Sequence, residues 1–208
     1  MNKSLEELRE LLKKKLPGSA AQLKMAPKGR ELELSNSLQR IITATQSAVM
    51  VLLFSENNRL QIVFIQRSIY DGHHSGQIAF PGGKTEKHDA NYLATALRET
   101  TEEIGIKAES IEVIGQLTDL FIPPSNYLVK VFVGLCKSAP SFIIDSHEVQ
   151  SVICVDFDDL LDETNLHSKA FFASTLNPTI APYFLVQNKE IWGATAMIVA
   201  ELIDIIQN

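Results

Sequence analysis

Three glutamates, Glu99, Glu102 and Glu103, crowd the end of one segment of the run GQIAFPGGKTEKHDANYLATALRETTEEIGI, residues 76–106. Arg98 is the one basic residue beside them, and Gly82–Gly83 lies upstream. On a helix with about 100° between residues, positions i, i+3 and i+4 are neighbours, so the three carboxylates share one arc. Like charges at this spacing each cost roughly 0.2–0.5 kcal/mol. Anions in the last turns oppose the helix dipole by about 0.3–1 kcal/mol each. A helix selected for stability alone would carry lysine there. Mg²⁺ or Mn²⁺ would remove the penalty, because hard divalent cations take carboxylate oxygens; a solvated acidic helix end is the other reading of the same residues. Gly82–Gly83 permits backbone conformations closed to other residues, and Pro81 sets the approach, so main-chain groups could come close to a metal or a phosphate.

The elements that must position this arc are legible from periodicity. Residues 90–104 read as a helix, with Asp89 as its N-cap and Gly105 as a left-handed C-terminal residue. Leu93, Ala96, Leu97, Thr100 and Ile104 form its packing stripe. SAVMVLLF (47–54) and LQIVFIQR (60–67) read as a hairpin about ENNR, and QIAF is a short strand running into a glycine turn. Residues 111–122, 127–136 and 149–157 are strand-like, 182–193 is a second hairpin, and 194–206 is an amphipathic closing helix. The first residues, with Leu5, Leu8, Leu12 and Leu16 at helical spacing, predict a helix stopped at Pro17–Gly18. The fold class is α+β, a sheet covered by helices. Residues 1–45 are assigned to the first helix and a lead-in segment, and 46–208 to the main domain.

The chain has 208 residues and a net charge of −6, which argues against a nucleic-acid or membrane partner. A small phosphate-bearing ligand needs only a local positive spot. Cys136 and Cys154 sit in apolar runs and are expected to be core residues in a reducing compartment, so the expected location is cytoplasmic. The N-terminal residues lack the apolar core of a secretory signal, and no run is long enough to cross a bilayer.

With these residues in view, the run resembles the Nudix box, G-x5-E-x7-R-E-U-x-E-E-x-G-U. Gly83, Arg98, Glu99, Glu102, Glu103, Gly105 and Ile106 match. Asp89 stands where glutamate is usual, and eight residues separate it from Arg98 instead of seven. Both departures resemble the branch of the family that hydrolyses coenzyme A. That branch has an upstream element similar to VFIQRSIYDGHHSGQIAFPGG (63–83), in which Arg67, Ser68, His74, Gly76, Gln77, Phe80, Pro81, Gly82 and Gly83 match. Gly72 replaces the branch's second arginine, which calls into question one contact to a substrate phosphate. The tail APYFLVQNKEIWGATA resembles the branch's closing motif, with Asn188 in place of its glycine.

The resemblance implies a Nudix-like α/β/α sandwich with a mixed β-sheet, a divalent metal, and cleavage of a diphosphate by water. Carried over, Glu99 and Glu103 are metal ligands, Glu102 is a ligand or base, and the Gly82 carbonyl adds a bond. Arg98 orients Glu99. Glu148, on a later loop, is the other candidate base. Arg67 and His74 are candidates for substrate contact, against a surface ion pair and a solvent-facing ring respectively, and Gly83 approaches the substrate through its backbone. Trp192 is expected in the core, and Phe121, Pro123 and Pro124 either rim a pocket or pack a loop. The implied substrate is coenzyme A or acyl-coenzyme A, giving 3′,5′-ADP and (acyl) 4′-phosphopantetheine. The alternatives are another nucleotide diphosphatase, acting on ADP-ribose, a dinucleotide or a nucleoside triphosphate, or a non-catalytic nucleotide-binding domain. Family habit implies a homodimer through the first helix or a sheet edge.

Overall fold

The computed structural model describes residues 5–69, 74–172 and 178–207. In chain order the elements are α1 (Leu5–Leu12), α2 (Ser19–Gln22), α3 (Arg30–Ser35), α4 (Leu38–Ile42), β1 (Thr45–Glu56), β2 (Arg59–Arg67), β3 (Ile78–Ala79) and β4 (Gly82–Lys84). Then follow α5 (Tyr92–Ile104), β5 (Ile111–Gln116), β6 (Leu120–Ile122), β7 (Tyr127–Cys136), β8 (Val149–Asp156), α6 (Phe157–Leu161), β9 (Leu166–Phe171), β10 (Thr179–Val186), β11 (Lys189–Trp192) and α7 (Gly193–Gln207).

β1 is the spine of the larger sheet. It pairs antiparallel with β2 and β4 and parallel with β7, so the sheet is mixed. β8 and β3 pair with β2, and β5 and β6 pair with β7. Both faces of β1 are covered, which is why its sequence is a nearly unbroken apolar run. Side chains alternate across a strand. Val51 and Leu53, with Ile62 and Phe64 of β2, face a core that includes Met197, Val199 and Leu202 of α7 and Leu8 and Leu12 of α1. Met50, Leu52 and Phe54, with Val63 and Ile65, face Ala96 and Ile104 of α5. The result is an α+β sandwich, helix on sheet on helix. A second sheet orders β11-β10-β9. The hairpin of β1 and β2 turns on Asn57 and Asn58, and that of β10 and β11 on Gln187 and Asn188, all four at positive φ. Asparagine tolerates this conformation, so Asn188 turns the chain without the glycine of the related motif.

Several expectations are corrected. α5 begins at Tyr92, and its N-cap is Asn91, whose Oδ1 accepts from the Ala94 amide at 2.9 Å; Asp89 is engaged elsewhere. Gly82–Gly83 is not a free turn but part of a strand, pairing opposite Val49 and Ala48. α1 ends at Leu12, well before Pro17. Residues 166–171 form a strand that their polar, exposed composition hides. Cys136 and Cys154 are free thiols in or against the α5-side core. No helix among the described residues is long and apolar enough to cross a membrane.

The lead-in is fastened by one buried carboxylate. Glu201 of α7 is fully buried. It accepts from the Gly18 amide at 3.2 Å, Gln22 Nε2 at 2.9 Å and Thr118 Oγ1 at 2.6 Å. Removing it takes the acceptor from these donors and from the Thr118 amide, which also points at it. Glu201→Ala is expected to cost about 2–4 kcal/mol and lower Tm by roughly 4–16 °C, measured by thermal and urea melts.

Candidate metal and phosphate site

α5 carries the site because its inward stripe is committed to the sheet. Ala96, Thr100 and Ile104 are fully buried. That orientation turns Glu99 and Glu103 toward β4, with side chains 12% and 1% exposed respectively. The Gly82 amide donates to Glu103 Oε2 at 2.8 Å. Arg67 Nη1, at the end of β2, stands 3.4 Å from Glu103 Oε1. A Cβ on Gly83 would lie 2.5 Å from the Glu99 carboxyl carbon and from both its oxygens. A Cβ on Gly82, where φ is 150°, would lie 2.4 Å from the Ala48 carbonyl oxygen. The two glycines therefore serve close approach: Gly82 to β1, and Gly83 to Glu99.

Arg98 is the cationic counterpart. Its Nε and Nη2 donate to the two oxygens of Asp89 at 2.9 and 3.1 Å, a bidentate pair. Nη1 lies 2.9 Å from Glu99 Oε1 and 2.8 Å from Glu102 Oε2. Asp89 thus anchors Arg98, and the longer spacer and shorter side chain do not prevent the pair. Hydrogen bonds from Arg98 hold the Asp89 carboxyl well below the usual carboxylate range. Burial acts the other way on Glu99 and Glu103. It pushes Glu99 up, with Arg98 partly opposing, and pushes Glu103 up to about 8, opposed by the Gly82 amide and Arg67.

The third carboxylate of the cluster is Glu148. Oxygens of Glu99, Glu103 and Glu148 lie within 4.8 Å of one another. Glu102 is not in this set; its exposed carboxylate stays on Arg98. Helix periodicity groups all three helix glutamates, but packing of the stripe sends Glu102 outward. Glu148 comes from a loop that docks on the free carbonyls at the end of α5. The Asp145 amide donates to Glu103 O at 3.1 Å and the Ile143 amide to Ile104 O at 3.0 Å. Gly105, at φ 75°, leaves room for this loop: a Cβ there would lie 2.7 Å from Ile143 Cβ. The Ser68 amide then donates to Glu148 O at 2.9 Å, tying the loop to the end of β2. Three carboxylates, two of them buried, are a hard-oxygen donor set that fits Mg²⁺ or Mn²⁺ and is costly without a cation.

Beside this cluster opens a cavity of about 730 Å³, within the range of small-molecule sites. Gly82, Gly83 and Arg67 form the wall shared with the carboxylates. His74, at φ 65°, also lines it, with Nδ1 3.0 Å from Gln77 Oε1 and Nε2 3.2 Å from Ser125 Oγ. Trp192 is half-buried, not a core residue; it lines the cavity and stacks on Phe171 with centroids 4.1 Å apart. Pro124 reaches the rim, whereas Phe121 is buried. Gly72 lies outside the described residues. Arg30, on the lead-in, lines the cavity and carried no signal in the sequence.

The Asp89–Arg98 pair generates a test. Asp89→Asn removes the bidentate charged partner of Arg98, whose side chain is 16% exposed, and leaves it Glu99 and Glu102. The expected loss is about 2–4 kcal/mol at neutral pH by urea melts. Because the folded-state pKa of Asp89 is depressed, its contribution is present above the ordinary carboxylate value near 4 and fades as pH falls below it. The stability gap between wild type and variant is therefore expected to narrow in acid. A second test concerns Gly83→Ala, which is expected to weaken Mn²⁺ binding at least about tenfold by titration calorimetry while the protein stays folded.

Comparisons with known proteins agree with this geometry. A family model described as the NUDIX domain matches residues 44–174. An uncharacterized Nudix hydrolase NudL from Yersinia pestis is 34% identical over 129 residues, which are 62% of this chain and 64% of that protein. The same figures hold for its counterpart in Yersinia pseudotuberculosis. The chain thus matches 64% of the length of these curated relatives. Among solved structures, a MutT/Nudix family protein from Enterococcus faecalis superposes with a TM-score of 0.51 at 19% identity, covering 88% of this chain and 76% of that one. The MutT protein from Methanosarcina mazei Go1 gives a TM-score of 0.51 at 17% identity, covering 79% of this chain and 95% of that one. These two likenesses concern the fold alone. With the box glycine on β4 and its arginine and glutamates on α5, and with the family model matching most of its length, the chain belongs to the Nudix family.

Proposed function

We propose that this protein is a metal-dependent Nudix hydrolase that cleaves the diphosphate of coenzyme A or acyl-coenzyme A, releasing 3′,5′-ADP and (acyl) 4′-phosphopantetheine. One observation carries the substrate. Arg67, His74 and Gln77 of the upstream element and Trp192 and Thr195 of the tail, far apart in sequence, line one cavity. Both segments are the ones that resemble the coenzyme A branch, and the tail lies beyond the family match. The cavity meets the carboxylate cluster at Gly82–Gly83, so a ligand filling it would place its diphosphate there.

In this reading Glu99, Glu103 and Glu148 hold Mg²⁺ or Mn²⁺, with the Gly82 carbonyl as a further ligand. When bound, the metal neutralises phosphate charge and lowers the pKa of the attacking water. The chain's own residues do the rest. Arg98, braced by Asp89, keeps Glu99 in place. The Gly82 amide and Arg67 hold the Glu103 carboxylate. Arg67 also brings its positive charge to a phosphate at the cavity wall, and His74, with its ring nitrogens on Gln77 and Ser125, shapes that wall. Glu148 is the exposed member of the cluster and takes the proton of the water. Glu102 steadies Arg98 from the outside. The protein acts in the cytoplasm, as a homodimer, on a small nucleotide-derived diphosphate.

The test offers coenzyme A, acetyl-coenzyme A, ADP-ribose and dinucleotides with Mg²⁺ or Mn²⁺ and identifies products by mass. Coenzyme A is expected to yield 3′,5′-ADP. Turnover of ADP-ribose or a dinucleotide in its place would reassign the substrate. The double variant Glu99→Gln, Glu103→Gln is expected to lose about three orders of magnitude or more in turnover and remain folded, since several kcal/mol of charge stabilisation goes with the metal. Unchanged turnover in that variant defeats the metal site.

A further inference from the structure

In a chain of net charge −6, the cavity is lined by three cationic side chains, Arg30, Arg67 and Lys84, and by no aspartate or glutamate among the described residues. Arg67 and Lys84 belong to the wall beside the carboxylate cluster. Arg30 comes from a different element, the first residue of α3, on the lead-in that precedes the family match.

Arg30 is not explained by the fold. Its side chain is 9% exposed. Its Nε has no hydrogen-bond partner. The one acidic neighbour, Glu33, lies 3.4 Å from that atom but is itself 55% exposed. A buried guanidinium has five donors and a heavy desolvation cost, so proteins usually surround it with acceptors. Burial without such acceptors lowers its proton affinity. Arg30 is also one of the residues lining the cavity. A guanidinium held dry with unused donors at a ligand cavity is preorganised for a planar, bidentate anion.

We propose that Arg30 binds a phosphate of the substrate other than the two joined by the cleaved bond, and so sets a preference for substrates that carry such a group. The inference rests on the coenzyme A reading, in which that group is the phosphate monoester on the ribose. It gives the lead-in a place in recognition. It also supplies a cation for the substrate in a chain where Gly72 replaces an arginine.

The test measures binding of 3′,5′-ADP and 5′-AMP by calorimetry to the full chain, as wild type, Arg30→Met and Arg30→Lys. The two nucleotides differ by one phosphate monoester. The expected result is that 3′,5′-ADP binds wild type about tenfold or more tighter than 5′-AMP. The gap is expected to collapse to within about threefold in R30M and to recover in part in R30K. R30M is expected to melt no lower than wild type, because it replaces a buried charge, paired only with the exposed Glu33 at 3.4 Å, by an apolar side chain. A missing gap in wild type, a gap that survives R30M, or a large fall in Tm for R30M would each overturn the proposal, the last because it makes Arg30 a structural residue. Turnover of coenzyme A and dephospho-coenzyme A is measured alongside. If neither is cleaved, the coenzyme A reading fails, while the binding gap alone still decides the role of Arg30.

Discussion

Two carboxylates pressed into a space that only glycine leaves open constrain everything else in this site. Glu99 fits because Gly83 has no side chain, and Glu103 is buried against the Gly82 amide. Such an arrangement is unstable in isolation: burial disfavours both charges, and each raises the cost of the other. The surrounding fold supplies partial compensation from two sides. Arg98 reaches Glu99, and Arg67 reaches Glu103. Neither arginine is spent fully on its glutamate. Arg98 gives its two-pronged contact to Asp89, and Arg67 stands at 3.4 Å, longer than a good charge-assisted hydrogen bond. The cluster is left with negative charge in hand, which is the condition for holding a divalent cation.

The same logic explains why the end of α5 and the loop after β7 are built as one unit. A helix that stops in the interior leaves carbonyls without partners. Here the chain returns at Ile143 and Asp145 to donate to the last two carbonyls of α5. Gly105 lets it come that close. The capping arrangement has a chemical by-product: it delivers Glu148 to the cluster from 45 residues further along. Stability of the helix end and completion of the carboxylate cluster are the same contact, so damage to one is felt by the other.

How much of this was legible depends on whether a residue acts within its own element or through another. The hairpin of β1 and β2 was readable because burial on two faces leaves an unbroken apolar run, and the inward stripe of α5 because burial on one face leaves a period. The pairing of Glu99 with Glu103 was readable for the same reason. The exclusion of Glu102 was not, because periodicity groups neighbours and does not say which one the packing turns outward. The role of Asp89 was misread as a cap, since a short acidic residue before a helix satisfies that rule as well as it satisfies an arginine nine residues on. Glu148 required the resemblance, and Arg30 was invisible: a lone arginine in a segment without periodicity looks solvent-exposed until coordinates show it buried. Gly82–Gly83 was seen as special but for the wrong reason. A turn and a close strand approach both ask for glycine, and only the pairing with Val49 and Ala48 distinguishes them.

The distribution of these residues over the chain separates chemistry from recognition. The carboxylates, Arg98 and both glycines all lie inside residues 44–174, the part matched by the family. The cavity walls draw on both ends outside it, with Arg30 before and Trp192 and Thr195 after. Both ends meet on one helix: α7 begins at the cavity with Gly193 and Thr195 and later grips the lead-in through Glu201. Thr195 itself donates to Ile78 O at 2.9 Å, binding that helix to the strand just upstream of Gly82–Gly83. The flanking segments can therefore vary the cavity wall without altering the carboxylate cluster. The lead-in is held at Gly18 and Gln22 by Glu201, and α7 is held to β3 by Thr195, so one helix braces the segment before the family match and the strand beside Gly82–Gly83.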